Sequence, residues 1–331
     1  MDKRTRIKAT LKGEPVDRPA VSFWRHFYKE ETSAEGLAEA MLGFQNKYDW
    51  DFMKVNPRAE YHVEDWGNIY AYSGNDHIKP QLKEGCIKDV NDWKKLDVLP
   101  PNQGVLGEHL KALTLISKSL DKDVYFVMTV FTPLSIALRL VNDATVLVRL
   151  MKEAPDALHQ GLQVITETFA DFSRACLDTG ASGIFFATTH CATKDLLSYE
   201  QYDAFGRTYD LQVLDAVKDA EFNILHVCKS NNMLDHLLDY PVHAVNWDAA
   251  DKTNPGLGEV LRRTDKTIIG GVDHTQHLLA NDPEMILKDA QNAYNETGGK
   301  KWMLGGGCTF LPQVSEKNLM ALRRVFDPNF K

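Results

Sequence analysis

Asn223-Ile224-Leu225-His226-Val227-Cys228, Ala244-Val245-Asn246-Trp247 and Thr267-Ile268-Ile269-Gly270-Gly271 are three short apolar runs, roughly 20 to 25 residues apart. Short helical patterns over residues 231–238 and 257–263 fill the gaps. Parallel neighbours need a crossover of a dozen or more residues, so this rhythm predicts parallel strands joined by helices. Working outward, similar runs stand at residues 19–23, 50–55, 124–130, 183–187 and 301–304, and the first run starts at 222. That makes eight units, the count of a (β/α)8 TIM barrel. An open doubly wound sheet is the alternative.

Helix signals agree with this alternation. Ser198-Tyr199-Glu200-Gln201 has capping-box spacing before a long amphipathic stretch to about Ala220. Asp282-Pro283-Glu284 places a capping Asp before a proline at the first helical position. Residues 56–123 are too long for one crossover and contain Pro100-Pro101, Gly104 and Gly107. They are read as a helical insertion after strand 2, on the face where barrel enzymes keep their sites. Residues 1–331 are then one barrel domain, with 56–123 inserted in it.

Composition narrows the function classes. Hydrophobic residues at 44% and charged ones at 25% describe an ordinary globular chain. The formal net charge of −8 argues against nucleic-acid binding, which needs a basic surface. No apolar run approaches the ~20 residues of a membrane span, and the polar start carries no secretory signal. Five cysteines, Cys86, Cys176, Cys191, Cys228 and Cys308, form an odd and sparse set. Such a set reads as reduced thiols in the cytoplasm.

Two of those thiols sit where chemistry is expected. On a strand, residues two apart share a face, so His226 and Cys228 project together at a strand's C-terminal end. Gly305-Gly306-Gly307 lets the backbone curl and bring Cys308 to the same mouth. One imidazole and two thiolates leave a fourth position open on Zn²⁺, the layout of a catalytic site. A metal so held deprotonates a coordinating thiol. Weaker candidates for substrate binding surround this trio. Arg25 follows the first strand and suits a carboxylate; His190 ends the fourth. Asp248 and Asp273 follow the sixth and seventh strands, as a fourth ligand or a partner orienting His226. Trp24, Phe27, Trp66 and Tyr70 offer an aromatic surface near the mouth. Cys86 and Cys176 are read as bystanders, and Cys191 as a pocket residue.

Several segments together resemble the uroporphyrinogen decarboxylase superfamily. They are residues 4–9 with Gly13-Glu14-Pro15-Val16-Asp17-Arg18-Pro19, Val130-Phe131-Thr132-Pro133-Leu134, residues 180–205, and Leu304-Gly305-Gly306-Gly307-Cys308. The resemblance covers nearly the whole chain and implies a distorted (β/α)8 barrel. The decarboxylases' own motifs are largely replaced. Arg-Gln-Ala-Gly-Arg becomes Arg25-His26-Phe27-Tyr28-Lys29, and the strand-two Asp becomes Asn56. Phe-Asp-Ser-Trp becomes Phe186-Ala187-Thr188-Thr189, and Leu-Gly-His-Gly becomes Leu304-Gly305-Gly306-Gly307. The His-x-Cys and distant Cys look instead like the superfamily's corrinoid-linked zinc methyltransferase branch. That resemblance implies His226, Cys228 and Cys308 as zinc ligands. It also implies cobalamin, carried by a corrinoid protein, as co-substrate, and a small methyl donor or acceptor; a homodimer is left open. A cofactor-free decarboxylase using Arg25, Arg58 and His190 is the alternative.

Overall fold

The computed structural model describes residues 1–280, 282–327 and 330. Ten strands occur in chain order: β1 Ala20–Val21, β2 Phe52–Val55, β3 Ile69–Ala71, β4 Gln81–Glu84, β5 Tyr125–Phe131, β6 Gly183–Ala187, β7 Ile224–Val227, β8 Ala244–Trp247, β9 Thr267–Val272 and β10 Trp302–Gly306. Eight of them form one sheet in the order β1-β10-β9-β8-β7-β6-β5-β2. Every pairing along it is parallel. All eight expected strands are present, and the sheet curls into a nearly closed barrel.

The seam between β1 and β2 closes through side chains. Asp51 is fully buried and its Oδ2 accepts from the Val21 amide at 2.7 Å, while its own amide donates to the Val21 carbonyl at 3.0 Å. Ser22 Oγ donates to the Phe52 carbonyl at 2.7 Å. Arg6 and Arg18 each reach Asp51 at 2.6 Å, and Arg6 also pairs with Asp17 at 2.8 Å. A buried carboxylate needs such partners. The Arg- and Asp-rich opening of the chain is therefore a clasp on the barrel seam.

Inside the barrel, side chains alternate along each strand. Phe52, Tyr125, Val127, Phe185, Ile224, Ile269 and Met303 belong to one buried cluster, which Ile7 of the N-terminal helix joins. A larger cluster lies between the sheet and the helices. Two residues further along β2 and β7 stand Lys54 and His226, both buried. The apolar plug thus ends where the polar site begins.

Helix caps follow the sequence closely. Ser198 and Gln201 form the capping box, and Asp282 caps the helix Pro283–Thr297. The long helix expected after Ser198 is instead interrupted by a π-turn at Asp203–Arg207. There Gly206 packs on the Tyr202 ring, where a Cβ would meet ring carbons at 2.9 Å. Residues 56–123 contain the helices Tyr61–Glu64 and Gly104–Ser119. They also carry an antiparallel hairpin, β3 with β4, where only helix was expected. Its strands are short, mostly exposed and shifted in register, so they show no apolar alternation to read. Among the described residues no helix is long and apolar enough to cross a membrane.

Candidate metal centre

Strand β7 directs His226 inward and Cys228 follows it at the mouth; the loop after β10 brings Cys308 to meet them. The three ligand atoms lie within 4.8 Å of one another. The two sulfurs are 4.0 Å apart, and Cys308 Sγ is 3.5 Å from His226 Nε2. Tetrahedral zinc, with bonds of ~2.3 Å to sulfur and ~2.0–2.1 Å to nitrogen, separates sulfurs by about 3.8 Å and sulfur from nitrogen by about 3.6 Å. Those two separations match zinc, and the third, between His226 Nε2 and Cys228 Sγ, lies within 4.8 Å.

The tautomer of His226 is fixed by its neighbours. Asn246 sits mid-strand on β8 and is fully buried. Its Nδ2 donates to the carbonyls of Ile269, at 2.9 Å, and Gly306, at 3.1 Å. Carbonyls only accept, so the amide cannot be turned over. Oδ1 then faces His226 Nδ1 at 2.7 Å and must accept its proton. Nε2 keeps its lone pair and points to Cys308. Asp248 and Asp273 are the sequence's candidates for this orienting role; Asn246 holds it. The signal that marks Asn246 is an amide inside a fully buried strand.

The thiol pair shares charge unevenly. Contact with the Cys228 thiol pulls the Cys308 thiol well below its ordinary range, against the effect of burial. The same contact, with burial, pushes Cys228 up.

The glycine run before Cys308 works by close packing. None of Gly305, Gly306 and Gly307 has a positive φ, contrary to the expected unusual backbone angles. A Cβ on Gly307 would instead lie 2.6 Å from Asp248 Oδ1 and 2.7 Å from its Cα. Gly307→Ala must therefore displace backbone at the mouth. Overpacking of this kind costs ~1–3 kcal/mol of folding stability, and because the displaced backbone leads directly into Cys308, zinc affinity is expected to fall as well while the fold survives. Chelator competition together with a melting curve checks this.

Two cavities meet at the trio, and Cys228 and Cys308 line both. The outer one, about 590 Å³, also has Asp248, Asp251, Asp273 and His274 on its walls. The inner one, about 220 Å³, is lined by Trp24, Lys54, Asn56, Phe131, Phe185 and His226 among others. Phe185 stacks on the His226 ring at 5.2 Å. Lys54 is 4% exposed, and burial pushes its ammonium down to about 7, opposed by the charges of Cys308 and Glu31. Lys54 is not among the sequence's candidates; the signal that marks it is a lysine inside a buried four-residue strand.

The remaining candidates divide. His190 lies at the rim of the inner cavity, and desolvation and then Lys229 push it down to about 4, so it is uncharged at neutral pH. Asp248 lines the outer cavity, 3.8 Å from His274 Nδ1, and burial raises its pKa. Asp273 shares that wall, but its Oδ1 accepts from Thr275 and Gln276 and shapes the turn. Arg25 faces neither cavity; it pairs with Asp76 and lies over the Phe27 ring at 4.5 Å. Arg58 pairs with Glu64 and Glu108. Trp24 lines the inner cavity, whereas Trp66 packs on Phe169. Cys191 is fully buried, with its thiol 3.6 Å from the Leu134 carbonyl, and lines neither cavity.

Comparison with known proteins gives the chain's relatives. A methylcobamide:CoM methyltransferase of Methanosarcina acetivorans is 22% identical over 96% of each chain. A uroporphyrinogen decarboxylase of Prochlorococcus marinus is 23% identical over 72% of this chain and 69% of its own. Among solved structures, a methyltransferase from Methanosarcina mazei superposes with a TM-score of 0.84 over 99% of both chains at 21% identity, a likeness of fold. The family model described as uroporphyrinogen decarboxylase (URO-D) matches residues 26–327, and the chain belongs to that family.

Proposed function

We propose that this protein is a zinc-dependent methyltransferase that moves a methyl group between a corrinoid and a small thiol or a methoxylated or methylated substrate. The observation that carries this reading is the trio His226, Cys228 and Cys308, at zinc-ligand spacing with the histidine tautomer fixed for metal binding. The full-length similarity to a methylcobamide:CoM methyltransferase supports it. His226, Cys228 and Cys308 would hold the metal. When bound, zinc supplies a Lewis acid that makes a thiol nucleophilic at neutral pH or polarises an ether oxygen.

The chain's own residues do the rest. Asn246 keeps His226 aimed. Trp24 and Phe185 give the inner cavity apolar walls. In-line methyl transfer needs the attacking and departing atoms on opposite sides of the carbon. The inner cavity suits the small substrate, and the open outer one leaves room for a cobalamin presented by a corrinoid protein. A decarboxylase reading has less support. Arg25 and Arg58, which would anchor substrate carboxylates, are both taken up by acidic neighbours.

The test is zinc analysis of the purified protein, with methylcobalamin demethylation followed spectroscopically over a panel of thiols and methoxylated compounds. Stoichiometric zinc and corrinoid turnover are expected. A protein that takes up no zinc overturns the reading, and conversion of uroporphyrinogen replaces it with decarboxylation.

A further inference from the structure

The inner cavity carries more hydrogen-bond donors than the protein satisfies. Lys54 Nζ donates to Asn56 Oδ1 at 2.8 Å, and among the described residues no carboxylate lies within ion-pair distance of it. Two of its three protons remain unused. Because Asn56 turns its oxygen to Lys54, its Nδ2 is left buried with no partner among the described residues. The indole Nε1 of Trp24 is in the same condition. Lys54, Asn56 and Trp24 are 4%, 1% and 2% exposed, and all three line this one cavity. The ammonium lies 4.7 Å from the centre of the Phe185 ring, the ring stacked on His226, so these donors flank the trio.

Unmet buried donors are costly, and three in one small cavity call for an acceptor. Charge points the same way. Zinc with two thiolates sums to zero, so the negative charge left near Lys54 is that of Glu31, which already accepts from the Phe27 and Ala59 amides and faces His26 Nδ1. We propose that Lys54, Asn56 and Trp24 form a subsite for an anionic oxygen group, such as a carboxylate, on the small substrate. The inference rests on the methyltransferase reading for what happens at the substrate's other end. At about 220 Å³ the cavity is below the ~300–1,000 Å³ of drug-sized pockets, so the ligand is short. The subsite fixes specificity. It selects molecules that carry an acid group within a few bonds of the thiol or methoxy heteroatom.

The experiment measures binding by calorimetry, with zinc-loaded and chelator-treated protein. The probes are matched pairs: 4-methoxybenzoate against methoxybenzene, and 3-mercaptopropionate against propane-1-thiol. The acid of each pair is expected to bind at least tenfold tighter, with or without metal. Lys54→Met removes the gap. Asn56→Asp also removes it, because the new carboxylate takes up the ammonium internally, and its near-identical shape keeps the fold. Equal affinity within both pairs, or a gap that survives both substitutions, overturns the subsite. Zinc binding without the gap sinks the subsite alone. The gap without zinc binding sinks only the methyltransferase reading.

Discussion

Cys308→Ser is expected to lower zinc affinity by two orders of magnitude or more, and Cys86→Ser to leave it unchanged. Losing a group that merely orients a ligand costs ~10–100-fold, so losing one of three ligands should cost at least as much. A serine hydroxyl stays protonated at neutral pH and replaces a thiolate poorly. The trio has no protein substitute at hand, since it is the one cluster of this kind among the described residues. Cys86, half-buried beyond β4, bears on neither cavity. Competition with a chromophoric chelator gives both affinities, and a melting curve confirms that each variant folds. Retention of tight zinc by Cys308→Ser would remove this cysteine from the site and the mechanism with it.

The strands were legible because each is a short apolar run, buried on both faces and bounded by turn residues. His226 and Cys228 were legible for a related reason: the strand repeat of two puts both on one side. Cys308 stands far along the chain, and only the barrel topology brings it near. The supporting residues were harder to see. Asn246 and Lys54 read as blemishes in apolar strands until the barrel shows what they face. Neither has a spacing motif, because each answers to a partner remote in sequence. The glycine run was found for the wrong reason. Its cause is close tertiary packing, of Gly307 on Asp248 and of Gly305 on Ile269, and no local backbone preference announces it. Arg25 sat at a promising strand end, but the exposed β3–β4 hairpin supplies Asp76 to hold it. That hairpin has no apolar rhythm to read.

Asn246→Leu is expected to damage both stability and metal binding, since one amide holds two parts of the site. On one side it fixes His226 through Nδ1. On the other it tethers the Gly306 carbonyl, two residues before Cys308, and the Ile269 carbonyl of β9. Leucine has similar size but strands a buried N–H and two carbonyls. Each unmet group costs ~1–3 kcal/mol, so the sum is a few kcal/mol of folding stability. Free rotation of the imidazole and a loosened β10 end should also weaken zinc by ~10–100-fold. Asn246→Asp separates the two effects. Its carboxylate can still accept from His226 Nδ1, but it turns an oxygen toward the two carbonyls in place of a donor. It is therefore expected to lose stability as leucine does while keeping more of the zinc affinity. Melting curves and chelator competition on both variants give the four numbers. Equal zinc loss in the two would mean that the β10 tether, and not the histidine's orientation, is what Asn246 contributes to the metal.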